Sequence, residues 1–105
     1  ELGGKDPAYV AEDADLEFTV PDVVDGACYN AGQSCCGVER VYVHRNCYEG
    51  FIERSETIMR QYRLGDPLDE ETTMGSLAST QAPDYLDRQV ADAEQRGAEV
   101  IHGGR

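Results

Sequence analysis

Basic residues are scarce in this chain: nine lysines and arginines stand against twenty-one aspartates and glutamates, for a net charge of −12. Such a surface repels a phosphate backbone, so nucleic acid is not an expected partner. The acidic residues are scattered along the chain, which fits a solvated surface better than an interaction tail. Long apolar runs are missing as well. No stretch approaches the roughly 18 residues of a membrane helix, and the first residues show no charged region followed by an apolar one. The expectation is a soluble chain with no membrane partner. Neither G-x-G-x-x-G nor G-x-x-x-x-G-K-[ST] occurs, so no phosphate-binding loop is recognisable. Internal repeats and low-complexity tracts are absent too.

The four cysteines, Cys28, Cys35, Cys36 and Cys47, contain no C-x-x-C pair. The adjacent Cys35 and Cys36 are awkward for a shared bridge or a zinc site, and the H-x-x-C of His44 and Cys47 lacks a second ligand pair. No metal is expected. The thiols read as reduced, and the protein as cytoplasmic, with the mitochondrial matrix as the alternative.

What the chain does contain is organised around Tyr29-Asn30-Ala31-Gly32-Gln33-Ser34-Cys35-Cys36-Gly37. A cysteine pair after an apolar, helix-like run, set off by Gly32 and Gly37, can leave the core and meet a substrate. Free cysteine is usually a small buried hydrophobe. As thiolate it is a nucleophile, which backbone N–H groups of a tight turn or a helix end can favour.

The 105 residues make one small domain or a piece of a larger one, and the ends favour a piece. Pro7 to Val10 form a short apolar opening, and Glu12 to Asp15 supply acid suited to a helix N-terminus. Apolar positions from Leu16 to Ala31 follow helical spacing, with Pro21 either beginning a new helix or kinking the old one, and Gly32 ending the run. Arg40 to His44 predicts a strand with Val41 and Val43 on one face. Asn46 and Glu49 are spaced as a capping box before a helix whose Phe51, Ile52, Ile58, Met59 and Tyr62 face the core. A long connection, Leu64 to Ser79, precedes a helix from Pro83 to Arg96 stopped by Gly97, with Leu86, Val90 and Ala93 inward. Ala98 to His102 predicts a further strand. His44 and His102 read as strand residues, not as bases. Helices alternating with strands give an α/β fold with a parallel sheet, and the few strands suggest an incomplete one.

Two motifs then carry a resemblance. Glu1-Leu2-Gly3-Gly4-Lys5 resembles the E-L-G-G-K glutamate motif of the aldehyde dehydrogenase superfamily, and Asn30 to Cys35 resembles its N-x-G-Q-x-C cysteine motif, with Glu1 and Cys35 thirty-four positions apart. Gly65-Asp66-Pro67-Leu68 and Met74-Gly75-Ser76-Leu77 resemble its G-D-P-L and G-P-L segments, with Ser76 in place of the common Pro. The likeness covers essentially the whole chain. It implies that residues 1–105 are part of the catalytic domain, beginning at its junction with the cofactor domain. It also implies NAD(P)-dependent oxidation of a small aldehyde to the acid. Cys35 would be the nucleophile that passes through a thiohemiacetal and a thioester, and Glu1 the base that activates water. Cys36 becomes a neighbour, Gln33 and Gly32 shape the turn, and Lys5 is structural. Cofactor-binding residues are not identified, and the upstream Asn, the phosphate-binding region and the E-x-F-G-P motif of the family are not in this sequence. The full-length enzyme is expected to be a homo-oligomer, and the 105 residues alone inactive. The alternatives are a cysteine acyl-transfer or thioesterase-like relative, against whose acylating form Glu1 weighs, and a truncated interaction protein without catalysis.

Overall fold

A computed structural model describes residues 4–103. Its elements run β1 (Asp6–Val10), α1 (Leu16–Cys28), a 3-10 turn (Tyr29–Gly32), β2 (Val38–Val43), α2 (Tyr48–Met59) and α3 (Ala82–Gln95). The first strand, helix and second strand form a β-α-β unit, for β1 and β2 pair in parallel with Ala8 opposite Val41, Tyr9 opposite Tyr42 and Val10 opposite Val43. This is the α/β architecture with a small parallel sheet that the pattern predicts. The apolar opening at Pro7 to Val10 is its first strand.

Alternation along the strands decides which face is covered. Val10 is buried and Val43 half-buried against the helices, whereas Tyr9 and Tyr42 stand exposed on the other side. Val10, Val20 and Val24 of β1 and α1 meet Cys47 and Phe51 of the α2 end to make the core. Asp15 caps α1 by accepting the Glu17 N–H at 3.0 Å. Pro21 neither starts nor ends a helix: it stands inside the continuous run of α1.

Several expectations are corrected. The helical run ends at Cys28, not at Ala31, because Asn30 and Ala31 take left-handed backbone (φ 52° and 56°). The capping box does not form. Cys47 occupies the N-cap position of α2, and the Asn46 amide instead donates to Glu12 Oε1 at 2.7 Å, an acidic partner brought over by the β1–α1 connection. The third correction is small: β2 begins at Val38 and ends before His44, although the His44 N–H still donates to Val10 O at 2.9 Å. Finally, residues 98–102 are irregular, and Val100 and Ile101 line a shallow cleft with Ile52 and Met59 of α2. A strand exists only by pairing, and no described strand lies alongside this segment to complete a ladder.

The connection after α2 folds back on itself through a bridge between Leu64 and Met74, with Arg63 N–H on Thr73 Oγ1 at 2.8 Å. Helix α3 stops at Gly97 (φ 96°), where the Ala98 N–H reaches Ala93 O at 3.0 Å and the Gly97 N–H reaches Glu94 O at 2.9 Å. That is the Schellman closure. Val90 and Ala93 are half-buried, but Leu86 is exposed, contrary to its predicted inward position. Among the described residues no helix is long and apolar enough to cross a membrane.

Candidate active site

The site is built where α1 gives out. After Cys28 the chain turns through Asn30, Ala31 and Gly32, three consecutive residues at positive φ. Residues with a Cβ rarely adopt this conformation, and Asn tolerates it best. Two side chains fasten the turn. The Asn30 amide donates to Gln33 O at 3.3 Å, and Gln33 Nε2 donates back to Asn30 O at 3.0 Å. The other end of the Gln33 amide accepts the Ala78 N–H at 2.7 Å. The Asn and Gln of the cysteine motif are therefore the braces of its turn, as expected of Gln33.

Cys35 and Cys36 are the central residues of the β-turn that follows, closed by the Gly37 N–H on Ser34 O at 3.1 Å. Both are exposed. The Cys36 thiol lies 3.3 Å from Ser34 Oγ. Gly37 is buried because the turn is pressed against α1: a Cβ on it would lie 3.2 Å from Ser34 O and 3.7 Å from Gly26 O. Cys35 is thus held out to solvent on a turn whose base is packed, and not on the flank of the helix.

Glu1 lies outside the described residues. Its motif is represented by Gly4 and Lys5, which stand beside the cysteine turn: a Cβ built on Gly4 would be 3.9 Å from Cys35 O. Lys5 is ion-paired with Glu39, in keeping with the structural role expected of it. The two motifs, remote in sequence, are neighbours in space.

The other thiols are differently placed. Cys47 is buried and donates to Ala11 O and Glu12 O at 3.5 and 3.4 Å. Cys28 lines a cleft of about 230 Å³ with Asp25, Tyr62 and Met74 to Ser76. Burial pushes its thiol above the ordinary value, the nearby Asp25 charge adds to this, and the Tyr62 hydroxyl opposes it. Burial likewise raises Tyr62, with Cys28 and Asp25 adding to it. Such a thiol stays neutral and is a poor nucleophile. Among the described residues no hydrogen bond joins His44 or His102 to this turn; His44 Nδ1 accepts the Asn46 N–H at 3.3 Å. Among the described residues no group of His, Cys, Asp and Glu is arranged to hold a metal. Glu39 and Arg40, which grip Lys5, carry no motif signal and are invisible to sequence reasoning.

Comparison with known proteins bears on this arrangement. The profile of the aldehyde dehydrogenase family matches residues 1–105. The chain is 40% identical over 105 residues to succinate-semialdehyde dehydrogenase (NADP+) 1 of Mycobacterium tuberculosis, covering all of this chain and 23% of that protein. It superposes on the crystal structure of lactaldehyde dehydrogenase from Escherichia coli with a TM-score of 0.93 and 40% identity, over 100% of this chain and 22% of that one. On betaine aldehyde dehydrogenase from Staphylococcus aureus in complex with NAD+ the TM-score is 0.94 and the identity 30%, over 100% and 21%. The chain spans between a fifth and a quarter of the length of these relatives. Over its whole length, the chain belongs to the aldehyde dehydrogenase family.

Proposed function

We propose that residues 1–105 are the part of an aldehyde dehydrogenase catalytic domain that carries its nucleophile and its hydrolytic base. The full-length enzyme oxidises a small aldehyde to the carboxylic acid with NAD or NADP. The observation that carries this reading is the meeting of Gly4 with the Cys35 turn. Glu1 stands three positions before Gly4 in the same motif, and the base role is assigned to it on that ground.

The Cys35 thiolate adds to the aldehyde carbon, and the new oxyanion accepts a hydrogen bond from the Cys35 backbone N–H. A bound nicotinamide supplies the acceptor for the hydride that the adduct must lose to become a thioester. The described residues offer no glycine-rich turn to cradle its pyrophosphate, so that pocket is assigned to the remainder of the enzyme. The thioester stays on Cys35. The Glu1 carboxylate takes a proton from water as the water oxygen attacks the thioester carbon, releasing the acid and the thiolate. The unpaired state of all four thiols supports a reducing compartment, which we take to be the cytoplasm. We take the full-length enzyme to be a homo-oligomer.

The test is Glu1→Gln in the full-length enzyme. Aldehyde capture should persist while acid release slows by about 10²-fold or more, within the range of general-base catalysis, and the acyl group should appear as added mass on Cys35. Unchanged turnover would remove Glu1 from the mechanism.

A further inference from the structure

Lys5 is held in backbone that its side chain disfavours, at φ 70°. What holds it is the start of β2. The parallel register skips between Asp6, opposite Val38, and Pro7, opposite Arg40, so Glu39 has no partner in β1. Pro7 has no N–H to give the ladder, and a bulge is where a strand tolerates that. The released Glu39 carboxylate turns to Lys5, accepting its backbone N–H at 3.4 Å and its ammonium. Arg40 Nε donates to Lys5 O at 2.9 Å. Two consecutive residues thereby take both backbone groups of Lys5 and its side chain. The Lys5 ammonium in turn holds the Glu39 carboxyl below its usual range.

As a source of stability an exposed ion pair like this counts for little. Its consequence is geometric. Gly4, the residue before Lys5, stands beside the Cys35 turn, a Cβ built on it lying 3.9 Å from Cys35 O, and Glu1 precedes it by three positions in the sequence. We propose that Glu39 and Arg40 are positioning residues for thioester hydrolysis: by fixing the backbone of Lys5 they set how Gly4 meets the Cys35 turn, and through it act on the motif that supplies the base. The inference rests on the roles proposed for Cys35 and Glu1. The thiol itself is held by other contacts, the Gly37–Ser34 turn and the Gln33–Ala78 brace. Loosening the clamp should therefore separate the two half-reactions, whereas general loss of structure would slow both.

The experiment uses the full-length enzyme with p-nitrophenyl acetate, whose burst of nitrophenolate reports acylation of Cys35 and whose steady rate reports hydrolysis of the acetyl thioester. In Arg40→Met the burst should stay within about twofold of the parent. The steady rate should fall by about 10- to 100-fold, the scale of an ångström of misplacement, with acetyl-Cys35 accumulating by mass. Arg40→Lys should recover part of the loss, and Glu39→Gln, which keeps an oxygen for the Lys5 N–H, should fall between. Burst and steady rates that drop in equal proportion, or do not change, overturn the proposal. Should Arg40→Met fail to fold, an unchanged ratio in Arg40→Lys and Glu39→Gln overturns it equally. Glu1→Gln measured alongside separates the two layers. If it traps acetyl-enzyme while the clamp variants do not, the clamp falls and the roles of Cys35 and Glu1 stand. If it hydrolyses acetyl-enzyme at the parent rate, those roles fall and the clamp with them.

Discussion

The Ala78 N–H donates to Gln33 Oε1 at 2.7 Å, joining positions 45 apart and tying the connection after α2 to the turn that presents Cys35. Gln33 is well suited to this task because its amide donates and accepts at once, and Nε2 is already engaged by Asn30 O. Gln33→Ala should lose both contacts. The site is exposed, so about 1 kcal/mol of stability is at stake, but the turn loses its outer brace and turnover should fall by about tenfold or more. Gln33→Glu keeps the acceptor for Ala78 and forfeits the donor, and should be intermediate. Urea melts beside the p-nitrophenyl acetate burst would measure both effects, and a wild-type burst in Gln33→Ala would contradict the bracing role.

How much of this was legible in the sequence depends on how local the signal is. Helix α3 announces itself through Pro83 and Gly97, and the structure places its ends within a residue of that reading. The cysteine motif marks the Cys35 turn, since Asn30, Gly32 and Gln33 act within a few positions of one another. Non-local outcomes were not readable. Asn46 pairs with Glu12 instead of capping α2 because the fold carries Glu12 to it. Residues 98–102 have strand composition but no described partner strand, and composition cannot supply one. The grip of Glu39 and Arg40 on Lys5 depends on a register skip that no pattern encodes.

The thiols should differ in reactivity. Cys35 and Cys36 are exposed, Cys28 is half-buried with its thiol pushed upward, and Cys47 is buried. Of the two exposed thiols, the one in the cysteine-motif position is Cys35. Limiting iodoacetamide followed by peptide mapping should therefore find Cys35 modified first and Cys28 and Cys47 last. Labelling of Cys36 ahead of Cys35 would shift the assigned nucleophile by one position.

Alkaline pH should weaken the packing of α1 on the segment after α2. The Cys28 thiol is raised above its ordinary value of 9.0, mainly by burial, so the folded state prefers the neutral form. The sign follows: the stabilisation is fully present below about 9, and it is lost as pH climbs through the raised folded value. Tyr62, raised in the same direction, extends the loss further upward. Chemical denaturation at pH 7, 9 and 10.5 should show this decline, and Cys28→Ala should flatten it. An undiminished decline in Cys28→Ala would assign the effect to other groups.

Gly37 offers the sharpest test of the packing beneath the nucleophile. An added methyl would meet Ser34 O at 3.2 Å, a tight approach to a backbone atom that cannot rotate away, while Gly26 O at 3.7 Å would be in ordinary contact. The turn itself has to shift. Overpacking of this kind costs about 1–3 kcal/mol, and Gly37→Ala should lower the denaturation midpoint accordingly. Because Cys35 lies inside the displaced turn, the p-nitrophenyl acetate burst should slow by up to about 10²-fold. Gly75→Ala is the matched control, since a Cβ there meets nothing within 4 Å, and it should leave the midpoint and the burst at parent values. If Gly37→Ala were as silent as Gly75→Ala, the turn would not be pressed against α1 as described, and Cys35 would owe its presentation to some other part of the enzyme.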